Sequence, residues 1–557
     1  MKKVINKLKK QSYDKYIIYI ILISLFVCSS LINKIPLGHD VEFHMTNYIQ
    51  LANNFSLKNI FFSKLYTFEN IANGFGYGTR IFYPPISYLL TTFIYQILKI
   101  FNIKSALTIS YYQIIVLALS GIAMYKLVKN VSKNEKVAFL SSISYITQTY
   151  FLCDIFVRTA LAEELIFLFM PIIFDGLYEL FYGEKNKFYL KFVIGYVGLI
   201  NSHLVLSVYL TIIILLIFII NIKKIFKKEY IFNLLVASFY ILLISSPFLV
   251  PLIEHKFGGN YAVFEENIMY SNEQLKDEAI KIYELFKIGN KTTNGIKVYF
   301  NYSTLLMLLL VIFNYQKIFK KEIKYKKIVT AMILIIVLSL VVSNEYFPWE
   351  IVPNFLKNIQ FPWRMCTFSC FAISFLSGFC FKLQNDVLSK STLIILIFIT
   401  IVICLNVTTD TYLVDDFEPA SSLGVQQEYF PKKINNNLDY YSSRENNLII
   451  LKGEATWENI KNKESYLNIN ISDVKDNTII ELPRIYYLGY KITLTKDNKK
   501  TIIPYSESPN GFVEIELNEN GLLEADYIGT KMSHLSYLVS LVAIILLVIE
   551  TKKMKGR

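Results

Sequence analysis

Long apolar runs, several of them sixteen or more residues almost free of charge, alternate along this chain with short lysine-rich segments. Crossing about 30 Å of hydrocarbon takes roughly 20 helical residues, because only helices and closed barrels satisfy their own backbone groups in lipid. The runs therefore predict spans near residues 16–32, 105–128, 137–152, 162–182, 188–200, 204–221, 230–250, 301–314, 328–343, 365–382, 391–406 and 535–550, about twelve in all. Residues 188–221 as one straight helix would be roughly 50 Å long at about 1.5 Å per residue, so the run is divided. The division falls at Asn201-Ser202-His203, whose side chains would be costly in mid-bilayer. From Val407 to Ser533 the pattern changes to short alternating segments, YLNINI, TIIEL, YKITLT, TIIPY and FVEIEL, with turn signals at Asp497-Asn498 and Pro509-Asn510-Gly511. The expected fold class is a polytopic α-helical membrane protein carrying a small antiparallel β domain of sandwich type. Its expected divisions are 1–406 (transmembrane), 407–533 (β) and 534–557, a last span with a basic tail.

Composition agrees with that pattern: of 557 residues 54% are hydrophobic and 18% charged, too apolar for a soluble chain with so many uninterrupted runs. The net charge of +13 sits mainly in lysines between apolar runs. It therefore marks cytoplasmic loops and a preference for anionic lipid headgroups, and does not point to nucleic acid. Lys2, Lys3, Lys7, Lys9, Lys10 and Lys15 place the N-terminus in the cytoplasm, and the first span has no small-residue cleavage site before Pro36, so it reads as a retained anchor. The segment Arg80 to Ile100, RIFYPPISYLLTTFIYQILKI, then decides the rest of the topology. Laid in the outer interface as a juxtamembrane helix, it sends every later lysine cluster inward. Both termini are then cytoplasmic and the β domain is extracytoplasmic.

All six cysteines lie in or beside apolar spans, with neither a disulfide framework nor a zinc spacing. The densest polar motif is Pro36-Leu-Gly-His-Asp-Val-Glu-Phe-His44, directly after the first span and opening a helical run from Val41 to Phe55. With Asp40 as N-cap, His44 lies one turn further on the same face, so the two can address one ligand. The plainer reading is a simple helix cap with two histidines among the headgroups. On the proposed topology the remaining polar candidates gather at the same membrane face: His39, Glu42, Arg80, Asp154, Arg158, Glu163, Glu164, His203, Glu254, His255 and Arg364. Asp154 and Arg158, at i and i+4, suit a helical ion pair that is as readily structural as functional. Arg364, after Phe361-Pro362-Trp363, can be a ligand or a snorkelling anchor. Tyr77, Phe82 and Tyr83 could stack on a sugar face, or belong to an aromatic belt. A divalent metal held by Asp40 with His44 or Glu163 is possible, although no dedicated metal motif is present.

Several of these stretches, in order, resemble a known family: the GHDxxFH-like motif after the first span, GYGTRIFYPPISYLL, DIFVRTALAEELIFLFMPIIF, NSHL, QFPWR, and LPRIYYLGYKITLTKDNKK with NGFVEIEL in the β region. Together they look like the bacterial YfhO-type proteins and the related membrane proteins labelled pyruvoyl-tetrahydropterin synthase-related, both of the GT-C glycosyltransferase superfamily. The resemblance implies a GT-C fold, a catalytic carboxylate in the first outer loop and a lipid-linked sugar donor; nothing here suggests pterin chemistry. Carried onto this chain, it implies Asp40 as that acid, with Arg158, Glu163 and His203 in the later motifs.

The expected function is transfer of a sugar from a polyprenyl-phosphate donor to an extracytoplasmic cell-envelope acceptor, a glycan, lipid or glycopolymer. Asp40 would act as base, with His44 or His39 orienting it. Arg158, Arg364 and Arg80 would meet the departing phosphate, since a guanidinium matches phosphate as a fork. Tyr83, Glu163 and His203 complete the candidate donor site. A lipid-linked glycan transporter or flippase would instead need ionisable residues through the depth of the bundle, and a non-catalytic scaffold would need only the β domain.

Overall fold

A computed structural model describes residues 14–61, 72–264, 271–286, 309, 312, 323–381, 412–418, 427–463 and 466–555. The spans expected at 301–314 and 391–406 lie outside the described residues, apart from positions 309 and 312.

The helices stand where the apolar runs put them. They are α1 (Lys15–Val27), α2 (Val41–Asn53), α3 (Ile86–Ile100), α4 (Thr108–Ser132), α5 (Glu135–Ile146), α6 (Leu161–Tyr182), α7 (Lys185–Ile200), α8 (Leu204–Ile220), α9 (Lys228–Gly258), α10 (Ile323–Val342), α11 (Cys366–Phe381) and α12 (Lys531–Lys555). Among the described residues, five segments are long and apolar enough to cross a membrane: Ser105–Ser132, Leu161–Tyr182, Lys228–Gly258, Tyr325–Val342 and Lys531–Met554. Helices α1, α3 and α8 are apolar but shorter. On α9 and α12 the outward residues Leu235, Phe239, Leu242, Leu538, Leu541 and Ile545 are exposed, a surface suited to lipid and not to water. The division at Asn201-Ser202-His203 is present: α7 ends at Ile200, and His203 Nδ1 caps α8 by accepting from the Leu206 amide at 3.3 Å.

Nine of the described strands fall within 449–527 and form two antiparallel sheets. The first, in order β3-β6-β10-β9, comprises β3 (Ile449–Lys452), β6 (Thr478–Ile485), β9 (Tyr505–Glu507) and β10 (Phe512–Leu517). The second, β4-β5-β11-β7-β8, comprises β4 (Thr456–Lys463), β5 (Tyr466–Ser472), β7 (Tyr490–Lys496), β8 (Lys499–Ile502) and β11 (Gly521–Tyr527). Period-two burial is clear on β5, where Leu467, Ile469 and Ile471 are buried between polar neighbours. Asp497 and Asn498 both take positive φ, 48° and 60°, as the two-residue β7–β8 hairpin requires.

The sheet region is fixed to the helices through backbone contacts. In α9, His255 hydrogen-bonds the Pro251 carbonyl through Nδ1 at 2.7 Å and accepts from the Leu488 amide through Nε2 at 3.1 Å. The Tyr487 hydroxyl donates to the Tyr429 carbonyl at 2.8 Å, and the Phe430 carbonyl accepts from the Ala262 amide at 3.0 Å. A two-residue β1 (Ile35–Pro36) pairs with β2 (Leu413–Val414), tying the loop after α1 to a segment nearly four hundred positions later.

Candidate functional site

The loop that opens α2 is held by the chain between α5 and α6. Thr149–Cys153 is helical, Asp154–Arg158 widens into a π turn, and Thr159 turns left-handed at φ 54°, ψ 46° before α6 begins. A β-branched residue in that region is strained, and surrounding bonds must hold it there. They come from the first loop: the His39 amide donates to the Val157 carbonyl at 3.2 Å, the Asp40 amide to the Arg158 carbonyl at 2.9 Å, and the Thr159 hydroxyl to the Pro36 carbonyl at 3.2 Å. Gly38 permits this approach, since a Cβ there would lie 2.3 Å from Thr159 Oγ1 and 2.5 Å from the Arg158 carbonyl carbon.

The π turn brings Arg158 between two carboxylates. Its Nη1 meets Asp154 Oδ1 at 2.7 Å and Glu163 Oε2 at 2.7 Å, and its Nη2 meets Glu163 Oε1 at 2.8 Å. Glu163 stands in the first turn of α6, where the helix dipole favours an anion. From the chain before α11, Arg364 Nε reaches Glu163 Oε1 at 2.8 Å, so one carboxylate bridges two guanidiniums. His203 Nε2 lies 3.8 Å from the same oxygen, and the Tyr150 hydroxyl donates to Oε2 at 3.2 Å. Trp363 lies beneath Arg158 with 4.6 Å between the guanidinium carbon and its ring, a cation–π contact. Arg364 is therefore buried and does not snorkel: its Nη1 also donates to the Ile359 carbonyl and Gln360 Oε1, each at 2.8 Å.

Asp40 occupies the N-cap position of α2, but its side chain makes no cap hydrogen bond. Instead Oδ2 faces Arg158 Nη2 at 3.7 Å, and the side chain is 40% exposed while those of Arg158 and Glu163 are 4% and 3% exposed. Asp40 is thus the accessible carboxylate of a closed cluster. His44 lies one turn along, buried, with Tyr88 Oη 3.3 Å from Nδ1. Burial holds its pKa down at about 4, against the pull of Asp40, and burial likewise takes His203 down to about 3. Both imidazoles are neutral at pH 7. Burial pushes the Asp154 carboxyl pKa up from its ordinary value, and the Arg158 guanidinium opposes that rise. Tyr83 packs its ring on Phe43, His44 and Tyr88, and burial raises its phenol pKa.

Five expected candidates lie elsewhere or turn away. Arg80 is buried, with its guanidinium donating to the Asn59 and Ile60 carbonyls, so it supports the end of Leu57–Phe61 and does not join the cluster. His39 contributes its amide while its side chain is exposed. Glu254 and His255 contact Thr530 and Leu488 on the β-domain side. Glu164, one position beyond Glu163, points to Gln113, whose Nε2 donates to it at 2.8 Å. Four residues absent from the expected set join the site: Tyr150, Gln360, Trp363 and Glu428. Glu428 is half-buried before Tyr429, with its pKa raised by burial and lowered in part by Arg364. Tyr429 stacks on Phe82 at 5.6 Å with 6° between the rings, so Phe82 and Tyr77 anchor this crossing segment.

No family model matches the chain. An "uncharacterized protein" of Lactococcus lactis subsp. cremoris (strain MG1363) is 23% identical over 583 residues, covering 92% of this chain and 90% of that protein. Among solved structures, the arabinofuranosyltransferase AftD from Mycobacteria is similar with a TM-score of 0.46 at 9% identity, over 72% of this chain and 28% of that one. ArnT from Cupriavidus metallidurans, bound to undecaprenyl phosphate, is similar with a TM-score of 0.42 at 11% identity, over 69% of this chain and 63% of that one. The chain thus spans less than a third of the AftD chain and less than two thirds of the ArnT chain.

Proposed function

We propose that this chain is a membrane glycosyltransferase of the GT-C, YfhO-like kind, with about twelve spans, cytoplasmic termini and the β domain outside. It would move a sugar from a polyprenyl-phosphate donor to an extracytoplasmic cell-envelope acceptor. The observation that supports this reading is the half-exposed Asp40 carboxylate set 3.7 Å from Arg158 at the edge of a cluster that ties three separate loops together. A polyprenyl tail stays in the bilayer and its phosphate at the interface, so the reacting bond would lie where apolar helices end. The acceptor oxygen attacks the anomeric carbon and the bond from that carbon to the phosphate oxygen breaks. The phosphate leaves with the electron pair, and the acceptor proton passes to Asp40. Positioned base catalysis contributes about 10²–10⁴-fold. Charge stabilisation of the leaving group by Arg158 or Arg364 adds about 10²–10³-fold per contact. His44, neutral and packed one turn from Asp40, shapes the wall of the site. A divalent metal beside Asp40 remains compatible with the proposal, but both Glu163 oxygens are already engaged by arginines.

The same engagement favours a second reading, in which the buried arginines are structural and the chain is a non-catalytic envelope scaffold. Transfer of labelled sugar from a panel of polyprenyl-phosphate sugars to membrane acceptors separates the two. Wild-type product that is lost in a normally folded Asp40→Asn variant supports catalysis; product of equal yield from that variant refutes the role of Asp40.

A further inference from the structure

A second feature stands at the other end of the bundle. From Glu163 to Phe181 along α6 is about 27 Å at 1.5 Å per residue, close to the thickness of a hydrocarbon core. There an apolar slot opens between α4, α6, α8, α10 and α11, lined among others by Leu127, Phe174, Ile217, Met332 and Phe375. Its lining also includes Tyr178, Tyr182, Asn221 and Lys327, the last two joined by a 3.2 Å bond from Lys327 Nζ to Asn221 Oδ1. Lys224 Nζ donates to the carbonyl of Phe181, another lining residue, at 3.0 Å and lies 4.6 Å from the Tyr182 ring centre. Burial lowers the Lys224 pKa, and the nearby Lys327 and Lys227 lower it further. Among the described residues, no carboxylate pairs with Lys224, Lys227 or Lys327. Beside these lysines Ile219, Ile222 and Phe226 are exposed, as at a lipid–water boundary.

We propose that this slot and its lysine rim form a binding site for an anionic membrane lipid, with an acyl chain among Phe174, Ile217 and Met332 and the headgroup phosphate between Lys224 and Lys327. Positive charge with no carboxylate partner among the described residues, at the mouth of an apolar slot, complements an anionic amphiphile. A soluble anion would use only the rim and a neutral lipid only the slot. The site is separate from the Asp40 cluster and does not rest on the proposed transfer activity.

The test is native mass spectrometry of the full, delipidated chain in detergent, titrated with dioleoyl-phosphatidylglycerol, dioleoyl-phosphatidylcholine or inorganic phosphate. Each lysine near a lipid phosphate is worth about fivefold in affinity, so Lys224→Gln with Lys327→Gln should weaken phosphatidylglycerol about 25-fold and leave phosphatidylcholine nearly unchanged. The corresponding double Arg variant should retain binding. Ala331→Phe, which fills the slot from α10, should weaken both lipids. Removing equal charge in the β domain, at Lys496 and Lys500, should change neither. The proposal is overturned if the two lipids bind alike, or if the double Gln or the Ala331→Phe variant keeps wild-type affinity. Displacement of phosphatidylglycerol by millimolar inorganic phosphate would also overturn it, revealing an anion site without a lipid one.

Discussion

Replacing Glu163 by Gln removes the carboxylate shared by two guanidiniums while preserving shape. At one oxygen, Arg158 Nη2 and Arg364 Nε retain an amide acceptor; at the other, an NH2 group faces Arg158 Nη1 and the Tyr150 hydroxyl, both donors. Breaking a buried ion pair from one side costs about 3–5 kcal/mol, chiefly because a desolvated charge is left without its partner. Here part is offset: Arg158 keeps Asp154 at 2.7 Å, and Arg364 keeps the Ile359 carbonyl and Gln360 at 2.8 Å. The expected loss therefore lies near the lower end, about 3 kcal/mol. Arg158→Gln in the same chain removes the orphaned cation, so the double variant should be more stable than the sum of the single losses predicts, by about 1–3 kcal/mol. Denaturant unfolding of the detergent-solubilised protein, followed by tryptophan emission, reads this cycle, and Trp363 lies 4.6 Å from the Arg158 guanidinium carbon. Strict additivity of the two single losses would refute the account of Glu163 as the shared counter-ion.

Stability should fall on acidification because the unfolded chain protonates its histidines near pH 6.5, while His44 and His203 resist until about 4 and about 3. That contribution is full above pH 6.5 and is lost as pH drops toward those values, about 2 kcal/mol per histidine by pH 5. Unfolding midpoints at pH 7.5, 6 and 5 measure it, and His44→Gln should flatten the slope by about half. Gly38→Ala forces apart the first loop and the Arg158–Thr159 backbone, at about 1–3 kcal/mol for overpacking. Faster proteolysis between Leu37 and Asp40 with the rest of the chain intact would reveal it, and wild-type resistance would count against the close approach. Arg80→Gln should lower the unfolding midpoint through loss of two bonds to carbonyls, about 1.5–3 kcal/mol each. In the sugar-transfer assay it should cost far less than Arg364→Gln; equal losses would place Arg80 in the site after all.

Helix positions and hairpins were legible because their signals are local. The apolar runs at 162–182 and 230–250 need only their own composition, and Asp497-Asn498 needs only two residues that tolerate positive φ. The break before Leu204 was legible for the same reason, since His203 both interrupts the apolar run and can cap the next helix. Arg80, Arg158 and Arg364 could not be told apart in this way: each follows or flanks aromatic residues at the end of an apolar segment. Their fates are set by neighbours distant in sequence, Asn59 and Ile60 for the first and a shared Glu163 for the other two. Adjacent helical positions point about 100° apart, so Glu163 and Glu164 take opposite roles that the pair of letters does not distinguish. Asp154 and Arg158 do pair at the expected i, i+4 spacing, but in a π turn whose extra width also lets Arg158 reach Glu163. That width is meaningful only with the first loop in place, because the left-handed Thr159 ending the turn is held by Pro36 and crowded by Gly38. The two motifs, GHD and VRTALAE, though far apart in sequence, are one structural unit: Asp40 presents its carboxylate to Arg158 because the backbones of both are bonded to each other. A change in either motif should therefore move both residues together, which makes the Asp40–Arg158 separation, and not either side chain alone, the quantity on which the site depends.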